Sequence, residues 1–244
     1  MRKIGDKDVL ARYIGDKQVM ERYVGEDLIS KAWYIGDGLA HHFDFHNNTG
    51  GGHDQAAITW ADLTGGANME LHNVTFGERS LVFGGNTNAK GTYRGMNVRE
   101  FTIFNTHLIP SLAPLVHSRA YGENPQPTLY TRSNRDHAYA YYAQGIDMEF
   151  TPLYIPLVSQ IVRTAIRWAG PGNPVELFID GVLVGRVGPV NQFPAAAAIK
   201  YLGCNSGTTR TFVGEFFEHL VYTRALTDAE ILHNNKVSGF RYRI

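Results

Sequence analysis

The sequence predicts an all-β protein, with a sandwich over residues 39–244 preceded by a small β-meander over residues 1–38. Three observations carry this. From residue 39 onward, runs rich in β-branched and aromatic residues are divided by turn clusters such as Asn47-Asn48-Thr49-Gly50-Gly51-Gly52, Gly84-Gly85-Asn86, Gly170-Pro171-Gly172-Asn173-Pro174 and Gly188-Pro189, the spacing of a sandwich or barrel. Before residue 39 a unit of about ten residues repeats. A helix start signal stands at Thr227-Asp228-Ala229-Glu230, a capping box ahead of Ile231-Leu232 that reads as one or two turns.

In the first segment Ile4-Gly5-Asp6, Ile14-Gly15-Asp16, Val24-Gly25-Glu26 and Ile35-Gly36-Asp37 recur. Gly followed by an acid supplies the positive φ and the side-chain-to-backbone bonds of a tight reversal. The runs Val9-Leu10-Ala11-Arg12-Tyr13-Ile14 and Val19-Met20-Glu21-Arg22-Tyr23-Val24 then read as strands, with Val9, Ala11 and Tyr13 on one face and Val19, Glu21 and Tyr23 on the equivalent one. A three- or four-stranded meander follows, with Tyr34 completing the tyrosine series. So small a sheet is marginal alone. Its set of Tyr13, Tyr23, Tyr34, Val9, Val19 and Ile29 must be covered by the following domain, by a second copy, or by a larger assembly, which makes residues 1–38 an attachment or oligomerisation segment if the cover is another chain.

Within the sandwich region, Asp180-Gly181 between two apolar runs is a strong hairpin signal. The prolines Pro110, Pro114, Pro125, Pro127, Pro152 and Pro156 imply long irregular connections across residues 100–170, and Phe240-Arg241-Tyr242-Arg243-Ile244 alternates as an exposed-edge or returning strand would. A composition 43% hydrophobic and 19% charged supports a real core, and 23 basic against 23 acidic residues leave no overall field for nucleic acid or an anionic membrane. No apolar run follows Met1-Arg2-Lys3 as in a secretory signal, and none reaches the ~18 residues of a membrane helix, so the expectation is a soluble chain without Sec export. Cys204, the one cysteine, has no internal disulfide partner and reads as core.

The run Val175-Glu176-Leu177-Phe178-Ile179-Asp180-Gly181-Val182-Leu183-Val184-Gly185, then Tyr201-Leu202-Gly203-Cys204, then Phe212 to Tyr222, then Arg224-Ala225-Leu226-Thr227-Asp228-Ala229-Glu230-Ile231, resembles in order the closing pattern of laminin G-like and concanavalin A-like jelly rolls. Trp60-Ala61-Asp62-Leu63-Thr64-Gly65-Gly66-Ala67-Asn68 and Ser80-Leu81-Val82-Phe83-Gly84-Gly85 resemble its opening. The resemblance implies a concanavalin A-like jelly-roll sandwich over residues 39–232; among the aromatic residues, Trp60 and Trp168 read as core. The Tyr-Ile-Gly-Asp-Lys repeat is similar to openings of structural proteins of tailed bacteriophages infecting Gram-positive hosts. That likeness implies a virion location, with other virion proteins, copies of itself and host cell-wall polysaccharide as partners, and host lysis as the way out of the cell.

Some glycoside hydrolases share this fold and carry Glu-x-Asp-x-x-Glu or Glu-x-Asp-x-Glu on one strand, where alternation sets nucleophile and acid over one sugar. Here Asp147-Met148-Glu149 has Gly145 where the first Glu should stand, and Glu215 and Glu218, three apart, would face opposite ways. No enzyme is expected. His42, Asp44 and His46 share a strand face that a metal could use, with His53 and Asp54 following, or they are hydrogen-bonded surface histidines. No cofactor is expected; calcium is a candidate through the oxygens of Asp62, Asn68, Asn47 and Asn48, by resemblance to the family. For ligand binding the candidates are Tyr121, Tyr130, Tyr139, Tyr141 and Tyr142 as exposed-loop aromatics that stack on sugar rings. The stretch Asp136 to Tyr142 reads equally as a strand with its odd positions buried. The expected function is a non-enzymatic virion structural protein, on head, neck, tail or baseplate, whose jelly roll binds host-surface carbohydrate. The alternatives are a free or cell-associated carbohydrate-binding module and a degenerate glycoside hydrolase.

Overall fold

A computed structural model of the chain describes residues 2–4, 7–9, 11–14, 17–20, 22–24, 27–29, 33–45, 58–84, 89–97, 99–108, 115–120, 128–131, 139–143, 146–149, 160–191, 198–203 and 212–242. The chain divides into two compact units, Met1–Gly36 and Asp37–Ile244.

The first unit is three separate hairpins. Strand β1 (Arg2–Ile4) pairs with β2 (Lys7–Val9), β3 (Ala11–Ile14) with β4 (Lys17–Met20), and β5 (Arg22–Val24) with β6 (Asp27–Ile29). The repeat survives as a repeat of register: Ile4 opposes Lys7, Ile14 opposes Lys17, and Val24 opposes Asp27. Among the described residues the three hairpins are separate two-stranded sheets and not one meander, and the physical reason is the connection length. Leu10 alone separates β2 from β3, and Glu21 alone separates β4 from β5, whereas a hairpin reversal takes at least two residues. The runs 9–14 and 19–24 are therefore each split between neighbouring hairpins, with Val9 in β2, Tyr13 in β3, Val19 in β4, Tyr23 in β5 and Ile29 in β6. Tyr34 belongs to no strand and is buried.

The second unit is an antiparallel sandwich. Its first sheet runs β10 (Thr75–Phe76), β11 (Leu81–Gly84), β22 (Val213–Tyr222), β13 (Phe101–Leu108), β18 (Ile161–Trp168), β19 (Asn173–Ile179), β20 (Val182–Val190), with β7 (Leu39–Asp44) also paired to β22. Its second sheet runs β17 (Ile146–Glu149), β16 (Tyr139–Ala143), β15 (Thr128–Thr131), β14 (Leu115–Ala120), β21 (Ala198–Leu202), β12 (Lys90–Asn97), β9 (Met69–His72), β8 (Thr59–Trp60). Phe43, Ile103, Ile166 and Val221 of the first sheet meet Trp60, Met69, Tyr93 and Leu202 of the second in one buried cluster, to which Trp168 also belongs. The Asp180-Gly181 hairpin forms as expected: Ile179 opposes Val182, and both turn residues take positive φ, 48° and 81°, the pair of left-handed conformations that a two-residue reversal between twisted strands requires.

Strands β13 to β18 fall within residues 100–170, while Pro110, Pro114, Pro125, Pro127, Pro152 and Pro156, on which the expectation of irregular connections rests, lie outside the described residues. One expectation is corrected here. The Thr227 capping box is present in both directions, but the helix it starts, α1 (Asp228–Arg241), has 14 residues. Phe240 and Arg241 thus end a helix instead of forming a returning strand. The buried side of α1 is Ile231, Asn234, Val237 and Ser238. Half of that stripe is polar, so apolar periodicity does not reveal the later turns.

Candidate functional site

The outer face of the first sheet is closed by α1 and its own hydrogen bonds. Alternation along β7 places His42 and Asp44 on this face and His41 and Phe43 in the core, as the sequence indicates. Asp44 is fully buried. It accepts a hydrogen bond from the Tyr242 hydroxyl at 2.5 Å, pairs with Arg241, and has His42 Nε2 at 3.5 Å. Burial works to raise its carboxyl, and the bond from His42 together with the Arg241 charge and Tyr242 outweighs that, holding it below the usual carboxylate range. Arg241 and Tyr242 thus engage the one carboxylate of that strand face. Among the described residues no group of three or more His, Cys, Asp or Glu could hold one. His46, Asn47, Asn48, His53, Asp54 and Cys204 lie outside the described residues.

Glu215 and Glu218 require a correction. Thr106 opposes Glu218 while the next residue, His107, opposes Phe216, so Phe217 is an extra residue in β22. Such a bulge reverses alternation, and both carboxylates come to the outer face. They are nonetheless separately engaged: Ser80 Oγ donates to Glu215 at 2.5 Å, and Thr106 Oγ1 donates to Glu218 at 2.5 Å. With its proton committed, Thr106 accepts from Ser238 of α1 at 2.6 Å.

A polar line crosses the interior. His41 Nδ1 donates to Asp62 Oδ2 at 2.7 Å, and His41 Nε2 lies 3.1 Å from the Arg94 carbonyl. Asp62 Oδ1 also accepts from the His42 amide and from the amide and hydroxyl of Thr64, while Asn68 Oδ1 accepts from the Asp62 amide. Of the two described oxygen donors of the calcium set, Asp62 is buried and engaged by His41, His42 and Thr64, while Asn68 is exposed. Further in, the Tyr93 hydroxyl donates to His219 Nε2 at 2.9 Å, and His219 Nδ1 donates to Asn105 Oδ1 at 2.6 Å. This is a neutral imidazole: burial, with the nearby His41, pushes it down to about 3, against a smaller opposing effect of Asp62. His107, fully buried, is likewise pushed down to about 3 by burial. His41, Asp62, Tyr93, Asn105, His107 and His219 are all buried.

The outer face of the second sheet is different. Glu70 and His72 are exposed, with side chains 74% and 48% accessible, while Met69 and Leu71 between them are buried. From Glu70 the register can be followed across all the strands. Thr59 opposes Glu70, Glu70 opposes Thr92, Thr92 opposes Tyr201, and Tyr201 opposes Arg119. Arg119 opposes Thr128, Thr128 opposes Tyr142, and Tyr142 opposes Asp147. Directly opposed residues share a face, so this row lies on the side of exposed Glu70. The neighbouring row, Leu71, Gly91, Leu202, Ser118, Leu129, Tyr141, Met148, belongs to the core side with buried Leu71 and Leu202. Among the described residues no helix covers the polar row.

The tyrosines named from sequence are thereby sorted. Tyr130, Tyr139, Tyr141 and Tyr142 stand in strands β15 and β16, not in loops. By register Tyr141 falls in the row of Leu71 and Leu202 and Tyr142 in the row of Glu70, with Tyr130 opposing Ala140 and Tyr139 opposing Thr131. Tyr121 lies outside the described residues. Asp147 and Glu149 share the outer face, on β17, the edge strand of the sheet. Sequence reasoning missed Tyr201, Arg119, Thr92 and Glu70. The only signal for them is the order of strands in the sheet, and β14 and β12 both carry register shifts that scramble local alternation.

The fold defines an all-β sandwich of two antiparallel sheets. No protein-family model matches the chain, and no curated protein matches it by sequence. Among solved structures it is similar to Trypanosoma rangeli sialidase in complex with sialic acid, at 14% identity and TM-score 0.67 over 91% of this chain and 36% of that one. It is similar to a further structure of the same sialidase at 15% identity and TM-score 0.65, again over 91% and 36%. Domain 4 of AbnA, a GH43 extracellular arabinanase from Geobacillus stearothermophilus in complex with arabinotriose, matches at 17% identity and TM-score 0.59 over 81% of this chain and 98% of that domain. The chain spans about a third of the sialidases' length. At these identities the likeness is one of fold.

Proposed function

We propose that the sandwich is a non-catalytic glycan-binding module whose ligand lies along the outer face of the second sheet. The observation that carries this reading is the strand register, which puts Thr92, Tyr201, Arg119, Thr128 and Tyr142 in one row with exposed Glu70. Aromatic faces stack on sugar rings, and short polar side chains fix hydroxyls. Two of the similar structures hold saccharides, sialic acid and arabinotriose, so a saccharide is the first ligand class to test. Catalysis is disfavoured because Asp147 and Glu149 stand on the edge strand, where a chain of sugars has support on one side only, and because Gly145 replaces the first carboxylate of the hydrolase motif. In this reading the N-terminal hairpins serve attachment or self-association, and display on a virion, facing host cell-wall polysaccharide, is the finer assignment.

The test is affinity electrophoresis of the full chain against arabinan, β-glucans and Gram-positive wall polysaccharides, with released reducing ends measured in parallel. Retardation on at least one polymer, weakened roughly tenfold by Tyr142→Ala or Tyr201→Ala, and no release of reducing ends are expected. Turnover abolished by Asp147→Asn would refute the non-catalytic assignment.

A further inference from the structure

We infer that the free edge of β20 is an interface for a second copy of this chain, with two β20 strands pairing antiparallel about a two-fold axis at Leu183. β20 hydrogen-bonds to β19 alone. At nine residues it is the longest of the sandwich's described edge strands, against two for β10 and β8, four for β17 and six for β7. A short edge protects itself, whereas a long one presents a row of unpaired N–H and C=O groups. The side chains along it are open as well: Val182 is 62% exposed, and those of Asp180 and Arg186 are 53% and 61% accessible.

The hairpin sets which backbone groups point outward. Ile179 and Val182 close the two-residue Asp180-Gly181 turn, so their own N–H and C=O face each other, and alternation turns those of Leu183 to the free side. Pro189, which has no N–H, blunts the far end of the strand. Pairing is thereby confined to residues 180–186, and a two-fold axis at Leu183 matches that stretch to itself. Leu183 exchanges both backbone bonds with its symmetry mate. Val182 meets the partner's Val184, Gly181 the partner's Gly185, and Asp180 the partner's Arg186. Moving the axis to Val184 sets Val182 against the partner's Arg186 and Asp180 against the partner's Gly188, which loses both the apolar match and the charge match. The ion pair is exposed and adds little strength; it fixes the register. Within its own chain Arg186 gives Nε to Glu176 at 2.7 Å, and its terminal nitrogens point the charge toward the second copy's acid.

So short a pairing lies at the small end of interfaces, and dilute chain stays monomeric through this edge. The experiment therefore traps the pair: the full chain carrying Leu183→Cys is oxidised with diamide at rising concentration and run on a non-reducing gel. Opposed Cα atoms of a hydrogen-bonded antiparallel pair stand about 5.5 Å apart, inside the range a disulfide spans. The parent chain, with Cys204 as its one cysteine, gives the background. Val187→Cys, on the same strand beyond the paired stretch, is the control. Leu183→Cys should give a covalent dimer that neither of these gives. Adding Asp180→Asn, which suits the same turn, or Arg186→Gln, where Glu176 keeps Arg167 as a partner, should slow the cross-link about two- to fivefold. Should Leu183→Cys lower the thermal midpoint, an equimolar mix of Val182→Cys and Val184→Cys chains gives the same readout, its mixed dimer forming faster than either like dimer. Leu183→Cys no more cross-linked than the parent, Val187→Cys cross-linked equally, or a rate indifferent to both charge variants overturns the inference. Association through residues 1–36 enlarges the assembly without selecting position 183, so it does not imitate the result.

Discussion

The hydroxyl of Tyr242 donates to Oδ1 of Asp44 at 2.5 Å, joining positions 198 residues apart. The bond ties the end of α1 to the first strand of the sandwich, and Arg241 adds a charge partner on the same carboxylate. The Tyr242 hydroxyl also lies 3.0 Å from the Phe217 carbonyl, and its ring packs on Phe217, the residue of the bulge.

Loss of this clamp should destabilise the whole sandwich. Tyr242→Phe is expected to cost about 1–3 kcal/mol, the usual cost of leaving a buried acceptor short of a donor. Arg241→Ala should cost more, about 3–5 kcal/mol, because it strips the charge partner from a buried carboxylate. Urea unfolding of the two variants checks the order, which would be reversed if Arg241 were an ordinary surface pair.

Stability should fall on mild acidification. His107 and His219 are held near 3 in the folded protein against an ordinary value of 6.5. Between those values the unfolded chain binds protons that the native state refuses, so folding stability is complete above about pH 6.5 and is lost as pH falls toward 3, at about 1.4 kcal/mol per pH unit for each histidine. The depressed carboxyls of Asp44, Asp62 and Glu230 act with the same sign but only below their ordinary values of 3.8, 3.8 and 4.5. Denaturant midpoints should therefore drop steadily from pH 7 to pH 5, and His219→Gln should flatten part of the slope. A midpoint constant across that range would contradict the neutral, buried assignment.

Removal of residues 1–36 should leave a folded sandwich with an unchanged melting midpoint, because Asp37–Ile244 is a compact unit with its own core. The hairpins, each only three or four residue pairs long, are marginal as isolated two-stranded sheets. If they serve association, light scattering should show full-length chain larger than a monomer and truncated chain monomeric, and only full-length chain should co-sediment with phage particles. Identical masses and equal co-sedimentation would remove the attachment role from this segment.

What could be read from the sequence follows from the range of the forces involved. Turn chemistry is local, so Asp180-Gly181 and the Thr227–Glu230 capping box announce themselves and both form. Alternation along β7 is local too, and His42 and Asp44 fall together as expected. The length of α1 was hidden because Asn234 and Ser238 face the sheet through hydrogen bonds to Tyr222 and Thr106 rather than through apolar area. The pairing of Glu215 and Glu218 on one face depends on a bulge that no residue type marks. Tyr142 was legible as an aromatic beside Tyr141, but its separation from Tyr141 onto the opposite face, and its alignment with Tyr201 and Arg119, arise only when β21 inserts between β12 and β14, a long-range event that strand propensity does not encode.

Where a glycan binds distinguishes the two faces of the sandwich. The most direct measurement is backbone amide chemical-shift mapping of the full chain titrated with a saccharide it binds. Perturbations gathered on Thr92, Arg119, Thr128, Tyr142 and Tyr201, with Asn234, Ser238 and the rest of α1 unmoved, are the predicted result. Perturbations centred on α1 and the outer face of the first sheet, with the row through Arg119 silent, would contradict it.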